Sequence, residues 1–144
     1  MTSNETFRQI VSIAESCGIS GKEQGEMLVY GWDLGDDRDQ MVYITPLGAT
    51  GGGMRIICFF SPCQRLGKGF LGGVSKDTAL QILRMNSQLE FGHFCIMKLG
   101  GDEMLCVRTT QILETMQPEE FKQNCASVAQ VADGWEERIG RNEF

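Results

Sequence analysis

Between Val74 and Thr109 the apolar residues change their spacing once, and that change limits what this chain can fold into more than any other feature. Ser75 stands where a helix cap belongs. Ala79, Leu80, Leu83 and Leu89, with Ile82 alongside, then follow a period of about 3.6 residues. From Phe91 to Lys98 and from Glu103 to Thr109 the residues become aromatic, β-branched or thiol-bearing, as strands favour. Gly100-Gly101-Asp102 parts the two runs, the mark of a hairpin with a very short loop. The stretch therefore predicts a helix, a short link and a β-hairpin.

The same reading extends in both directions. Phe7, Ile10, Val11, Ala14 and Cys17 share one helical face, with Asn4 or Ser3 as cap and Gly18 as the left-handed residue beyond the end, which predicts a helix over 4–17. Ser20 to Glu26 reads as a polar link. Met27 to Asp33 and Gln40 to Thr45 read as strands joined by the charged turn Gly35–Asp39, and Pro46 is expected to end the second. Gly48 to Gly53 reads as a loop, Met54 to Phe60 as a third strand, and Ser61 to Gly73 as irregular chain. Pro118, followed by Glu119 and Glu120, opens a last helix whose apolar face is Phe121, Cys125, Val128, Ala132, Trp135 and Ile139. The predicted order is α-β-β-β-α-β-β-α. It describes a single α+β domain over residues 1–144, an antiparallel-rich twisted sheet with helices packed on it. No internal repeat or linker divides it.

Alternation along the strands sorts their side chains onto two faces. One set, Val42, Ile44, Ile56, Cys58, Phe60, Phe94, Ile96, Leu105 and Val107, is the expected core beneath the helices. The other contains Met41, Tyr43, Thr45, Arg55, Ile57, Phe59, His93, Cys95, Met97, Met104, Cys106 and Arg108. A sheet face bathed in water is more polar than this second set. Its mixture of Met, aromatic and Arg is the composition of protein interfaces, so a second copy or another protein is the expected cover, the alternative being that one of the chain's own helices packs there.

The chain has 144 residues, a net charge of −6 and six cysteines. That length holds a hydrophobic core without disulfide or metal staples. The acidic balance speaks against nucleic acid, which calls for a basic stripe, and against an anionic membrane surface. The N-terminus shows no basic region followed by an apolar run, and no window reaches the ~18 uninterrupted apolar residues of a membrane span. Reduced thiols and a cytoplasmic location are the expectation.

Four local patterns carry possible chemistry. Gly67-Lys68-Gly69-Phe70-Leu71-Gly72 fits the glycine spacing of a dinucleotide loop, but six residues, Ser61 to Leu66, part it from the predicted strand, and an antiparallel hairpin follows. Cys58, Cys63, His93 and Cys95 lack the close pairing of a zinc site. Asp36, Asp37 and Asp39 lack the glycine and terminal Glu of a calcium loop. His93, the only histidine, stands two residues from Cys95 along one strand, ~6.6 Å away, too far for a direct hydrogen bond. No catalytic, cofactor-binding or metal-binding residue is assigned.

The run ALQILRMNSQLEFGHFCIMKLGGDEMLCVRTTQI, followed by QPEEFKQNCASVAQVADGWEERI, resembles YbjN-like proteins, which share the fold of type III secretion chaperones. The resemblance lies in a helix carrying Leu83 and Asn86, then Gly92 and a hairpin, then an acidic turn into a final helix with Trp135 near its end. It covers residues 74–139, with residues 1–45 matching in the order of elements. It implies an α+β domain, commonly a homodimer, that binds protein instead of turning over substrate, and it supplies no active-site residues. The Gly48–Gly53 and Gly67–Gly73 loops and the cysteines depart from the pattern. The functional expectation is a non-enzymatic, chaperone- or adaptor-like homodimer binding protein through Met41, Tyr43, Ile57, Phe59, Met97, Met104 and Arg108. The alternatives are a thiol-dependent enzyme or redox protein using Cys95 or Cys106 with His93, and a small-molecule sensor using the Gly67–Gly73 loop.

Overall fold

A computed structural model describes residues 3–67 and 73–144. Its elements are α1 (Ser3–Ser16), β1 (Lys22–Gln24), β2 (Met27–Gly35), β3 (Arg38–Ala49), β4 (Arg55–Gly67), α2 (Lys76–Asn86), β5 (His93–Leu99), β6 (Asp102–Ile112) and α3 (Pro118–Arg138). The strands form one sheet in the order β1-β2-β3-β4-β6-β5, and every pairing is antiparallel. The class is α+β, as the periodicities predict. One strand is added to the predicted order: the polar link contains β1, whose three exposed residues pair with the start of β2. Lys-Glu-Gln carries no alternation to announce a strand, and such charged residues suit a sheet edge.

The turns follow their sequences. Gly100 and Gly101, at φ +60° and +87°, form the two-residue loop between β5 and β6, a geometry that needs positive φ at both central positions. Asp36 and Asp37 adopt the same geometry between β2 and β3. Ser75 caps α2, its hydroxyl accepting the Thr78 N–H at 3.1 Å. Gln117 caps α3 in a reciprocal box with Glu120, whose Oε1 accepts the Gln117 N–H at 2.9 Å. α1 starts at Ser3, so Asn4 lies within the helix instead of capping it.

All three helices lie on one side of the sheet. Phe7, Ile10 and Ala14 of α1, Ile82 of α2, and Phe121, Cys125, Val128, Ala129, Ala132 and Trp135 of α3 share a core with Leu28, Tyr30, Val42, Ile44, Ile57, Phe59, Phe94, Leu105 and Val107. The rings of Tyr30 and Phe59 meet Phe121 edge-on at 5.4 and 5.7 Å, and Phe94 meets Trp135 at 5.7 Å. Full burial of each such side chain is worth about 1.5–3 kcal/mol. The predicted apolar stripe of α2 is only partly used: Ile82 is buried, while Leu80 and Leu83 are 37% and 64% exposed. Leu83 and Ile96 instead flank a shallow apolar recess between α2 and β5, and Ile96, expected in the core, is exposed.

β4, the strand predicted as the third, is longer than its sequence announces, and its faces are the reverse of those expected. β3 runs through Pro46, where a bulge leaves Leu47 without a partner on β4. Beyond the bulge the register places Ile44 opposite Phe59 and Tyr43 opposite Phe60. Directly opposed residues share a face, so one extra residue exchanges the two sides of β4. Ile57 and Phe59, expected on the interface side, are wholly buried beneath the helices. Ile56, Cys58 and Phe60, expected in that core, lie on the other side.

β4 also continues through Ser61–Gly67, the segment read as irregular, because β6 pairs with it along its whole length. Cys63 and Leu66 sit at two register shifts that let the strand bend. β3 and β4 part company at Pro62, which has no N–H to give. Side chains fill the gap: Gln40 Nε2 donates to the Pro62 carbonyl at 2.7 Å, and the Ser61 hydroxyl donates to the Met41 carbonyl at 2.7 Å.

Candidate functional site

The side of the sheet away from the helices carries a second apolar cluster of Cys58, Phe60, Met104 and Cys106, with Met27, Tyr43, Cys95, Met97 and Leu99 packed around it. Among the described residues no helix residue joins it. Tyr43 and Phe60 stack at 5.3 Å with 16° between their rings. Phe60, Cys58 and Cys106 are at most 1% exposed, covered by neighbouring strand side chains and by Phe144. Met41, Tyr43, Met97 and Arg108 are half-buried, and Met104 is 8% exposed. Five of the seven residues expected to bind a partner, Met41, Tyr43, Met97, Met104 and Arg108, therefore share this side. Ile57 and Phe59 do not.

Arg108 stands between two rows, opposite Phe60 on β4 and opposite His93 on β5. Among the described residues its Nε is buried without a hydrogen-bond partner. Burial, opposed by this guanidinium, pushes the Cys58 thiol up to about 11. Burial and the neighbouring thiols Cys95 and Cys58 push Cys106 up to about 12. Burial also raises Cys95, again against the pull of Arg108. His93 moves the other way, lowered first by burial and then by Arg108. A nucleophilic thiol requires the opposite arrangement, a thiolate made accessible by a nearby base or cation. Cys95 faces Cys106 directly across the β5–β6 ladder, but all six thiols are free.

The end of the described chain reaches this face. After α3, Gly140 bends the backbone at φ +75°, and Arg38 Nη2 donates to the Arg141 carbonyl at 3.1 Å. The fully buried Glu136 accepts the N–H of Glu143 at 2.6 Å and of Phe144 at 3.3 Å, leaving its Oε1 without a partner. Met41, whose carbonyl already faces the gap beside β4, donates its N–H to the Phe144 carbonyl at 3.0 Å. Arg65, opposite Met104 in the register, pairs with Glu143 at 2.5 Å and lies 5.6 Å from the centre of the Phe144 ring. That ring packs against the second apolar cluster. Sequence reasoning missed Arg65, which lay in chain read as irregular. It also missed Phe144, whose one signal is an aromatic residue beyond a helix end.

The remaining candidates come to less. The glycine motif at 67–72 follows β4 without the six-residue separation expected, yet residues 68–72 lie outside the described residues, as does most of the Gly67–Gly73 loop. The sheet around it contains only antiparallel pairs, whereas the dinucleotide turn belongs to a parallel β-α-β unit. Among the described residues no group of three His, Cys, Asp or Glu side chains gathers as metal ligands would. Among them too, no helix is long and apolar enough to cross a membrane. No protein-family model matches this chain, and no curated protein matches it.

Proposed function

We propose that this chain is a non-enzymatic, protein-binding module of the chaperone or adaptor kind, acting as a homodimer in the cytoplasm. The observation that carries the proposal is the second apolar cluster, Phe60 with Tyr43, Met97, Met104 and Cys106, on the sheet side that none of the described helices covers. The accessible part of this side, half-buried Met41, Tyr43 and Met97 with Arg65 and Arg108, has the aromatic, methionine and arginine make-up of an interface, and methionine adapts to irregular partners. The likeness to YbjN-like proteins and to the type III secretion chaperone fold supports the same reading.

Sedimentation equilibrium on the full chain tests the proposal. The native protein is expected to self-associate. Tyr43→Ser combined with Met97→Ser is expected to leave a folded monomer by circular dichroism. A native protein that stays monomeric over a broad concentration range removes the homodimer. Self-association that the double substitution leaves untouched moves the interface off this face.

A further inference from the structure

We infer that the seat occupied by Phe144 is a docking site for an extended acidic–aromatic segment of another protein, and that residues 139–144 hold the seat until such a segment displaces them. The inference rests on the sheet face being a docking surface and names the chemistry of what docks there.

The tail meets the face as a peptide ligand would. It receives one main-chain hydrogen bond from Met41, places one carboxylate on Arg65, and lays one ring on the apolar cluster beside the same guanidinium. Main-chain bonding to a partly open strand, with side-chain pockets alongside, is a recurring mode of peptide capture. Here the gap beside Pro62 leaves the Met41 N–H without a β4 acceptor, while its carbonyl is held by the Ser61 hydroxyl, so the N–H is the group that bonds the Phe144 carbonyl. Gly140 separates the tail from α3, and a segment that displaces the tail has to offer the Glu136 carboxylate the N–H groups that Glu143 and Phe144 now give it.

Elsewhere on the same face, among the described residues, the buried Arg108 Nε has no acceptor. Arg108 lies four positions along β6 from Met104, which stands opposite Arg65, a separation of ~13 Å. A segment carrying a second acidic residue about four positions from its Glu-Phe pair reaches both guanidiniums. Two arginines on this face of an acidic chain also favour a negatively charged segment.

Fluorescence anisotropy with a labelled peptide of the sequence of residues 138–144 tests the inference on full-length protein. Glu143→Ala with Phe144→Ala empties the seat, and Phe144→Ser alone serves if that double variant melts early. The emptied variant is expected to bind the peptide about tenfold or more tightly than the native chain, and Arg65→Ala or removal of the peptide's Phe to cost about tenfold. A peptide extended to place an acidic residue near Arg108 is expected to gain affinity that Arg108→Met abolishes. Equal or absent peptide binding by native and emptied chains overturns the inference, as does indifference to Arg65→Ala. A native dimer that becomes a monomer when Phe144 is replaced assigns the seat to a second copy's tail and also overturns it. Peptide failure combined with loss of self-association in Tyr43→Ser/Met97→Ser refutes the acidic–aromatic ligand while leaving the face a docking surface.

Discussion

The side-chain amide of Asn86 completes both backbone hydrogen bonds of Phe94, donating to its carbonyl at 3.2 Å and accepting its N–H at 2.7 Å. An amide on α2 thus takes the place of a neighbouring strand at the outer edge of β5. Because both groups of Phe94 point away from β6, the β5–β6 hydrogen bonds fall to the alternate residues, including Cys95 and Cys106. The contact docks the helix and blocks one step of an edge that would otherwise invite pairing with another chain.

Replacing Asn86 with Ala is expected to destabilise the fold by about 2 kcal/mol, from two lost hydrogen bonds around a largely buried Phe94. Urea denaturation reads the loss as a lower midpoint at unchanged slope. Static light scattering is expected to rise with concentration as the β5 edge opens. A midpoint equal to the native one would show that water replaces the amide at no cost.

Phe59 and Tyr43 should separate sharply. Phe59→Ala empties a wholly buried site against Phe121 and is expected to cost about 3–5 kcal/mol. Tyr43→Ser removes a half-buried ring from the outer face and is expected to cost about 1 kcal/mol. Equal losses in urea melts would mean that the two faces of β3 and β4 have been exchanged.

That pair also shows where the sequence is legible and where it is not. The β5–β6 hairpin reads correctly because Gly100-Gly101 admits one short turn, and the turn fixes the register of every residue behind it. The periods of α1 and α3 survive for a similar reason: each buries one continuous stripe. Phe59 and Phe60 are both apolar, so alternation along β4 alone cannot say which points to the helices. The choice is made in β3, where Leu47 is squeezed out beside Pro46, and nothing in its composition announces a bulge. Pro62 misleads in the other direction. It argues against a central strand, yet β4 keeps it because Gln40 and Ser61 supply side-chain hydrogen bonds where the β3 ladder stops. The tail seat requires Arg65, Met41, Glu136 and Phe144, which only the folded chain brings together.

Alkaline pH should weaken the fold earlier than the sequence composition suggests. Cys58 and Cys106 keep their protons in the folded state to about 11 and about 12, and burial first, with Cys125 and Glu15 adding, holds the Tyr30 hydroxyl to about 12. In the unfolded chain the thiols release protons near 9.0. Folded values above unfolded ones mean that their contribution is complete below pH 9 and declines as pH rises toward 11–12. Melting temperatures from pH 7.5 to 10.5 are expected to be flat to about 9 and then to fall. Cys58→Ala with Cys106→Ala should lessen that fall at some expense in packing, the remainder belonging to Cys63, Cys95 and Cys125, which burial also pushes up. A fall of the same slope in the double variant would place its cause elsewhere.

Thiol chemistry offers the most direct contest with the redox alternative. Cys17 and Cys95 are half-buried, while Cys58, Cys63, Cys106 and Cys125 are buried. A disulfide reagent at pH 7.5 attacks thiolates and needs access, so two thiols of the native chain are expected to react slowly and the other four only after denaturation. Cys95 should be slower than an exposed model thiol, because burial outweighs the pull of Arg108 on its proton. Substituting Arg108 with Met removes that pull and is expected to slow Cys95 further, whereas a structural disturbance of the strand would accelerate it. His93→Gln should leave the rate unchanged, since burial and Arg108 lower the imidazole's pKa and so weaken it as a base toward a thiol. If instead Cys95 or Cys106 reacts faster than a free thiol and loses that advantage with His93→Gln, the site is a thiol–imidazole pair and the protein-binding reading yields to a catalytic one.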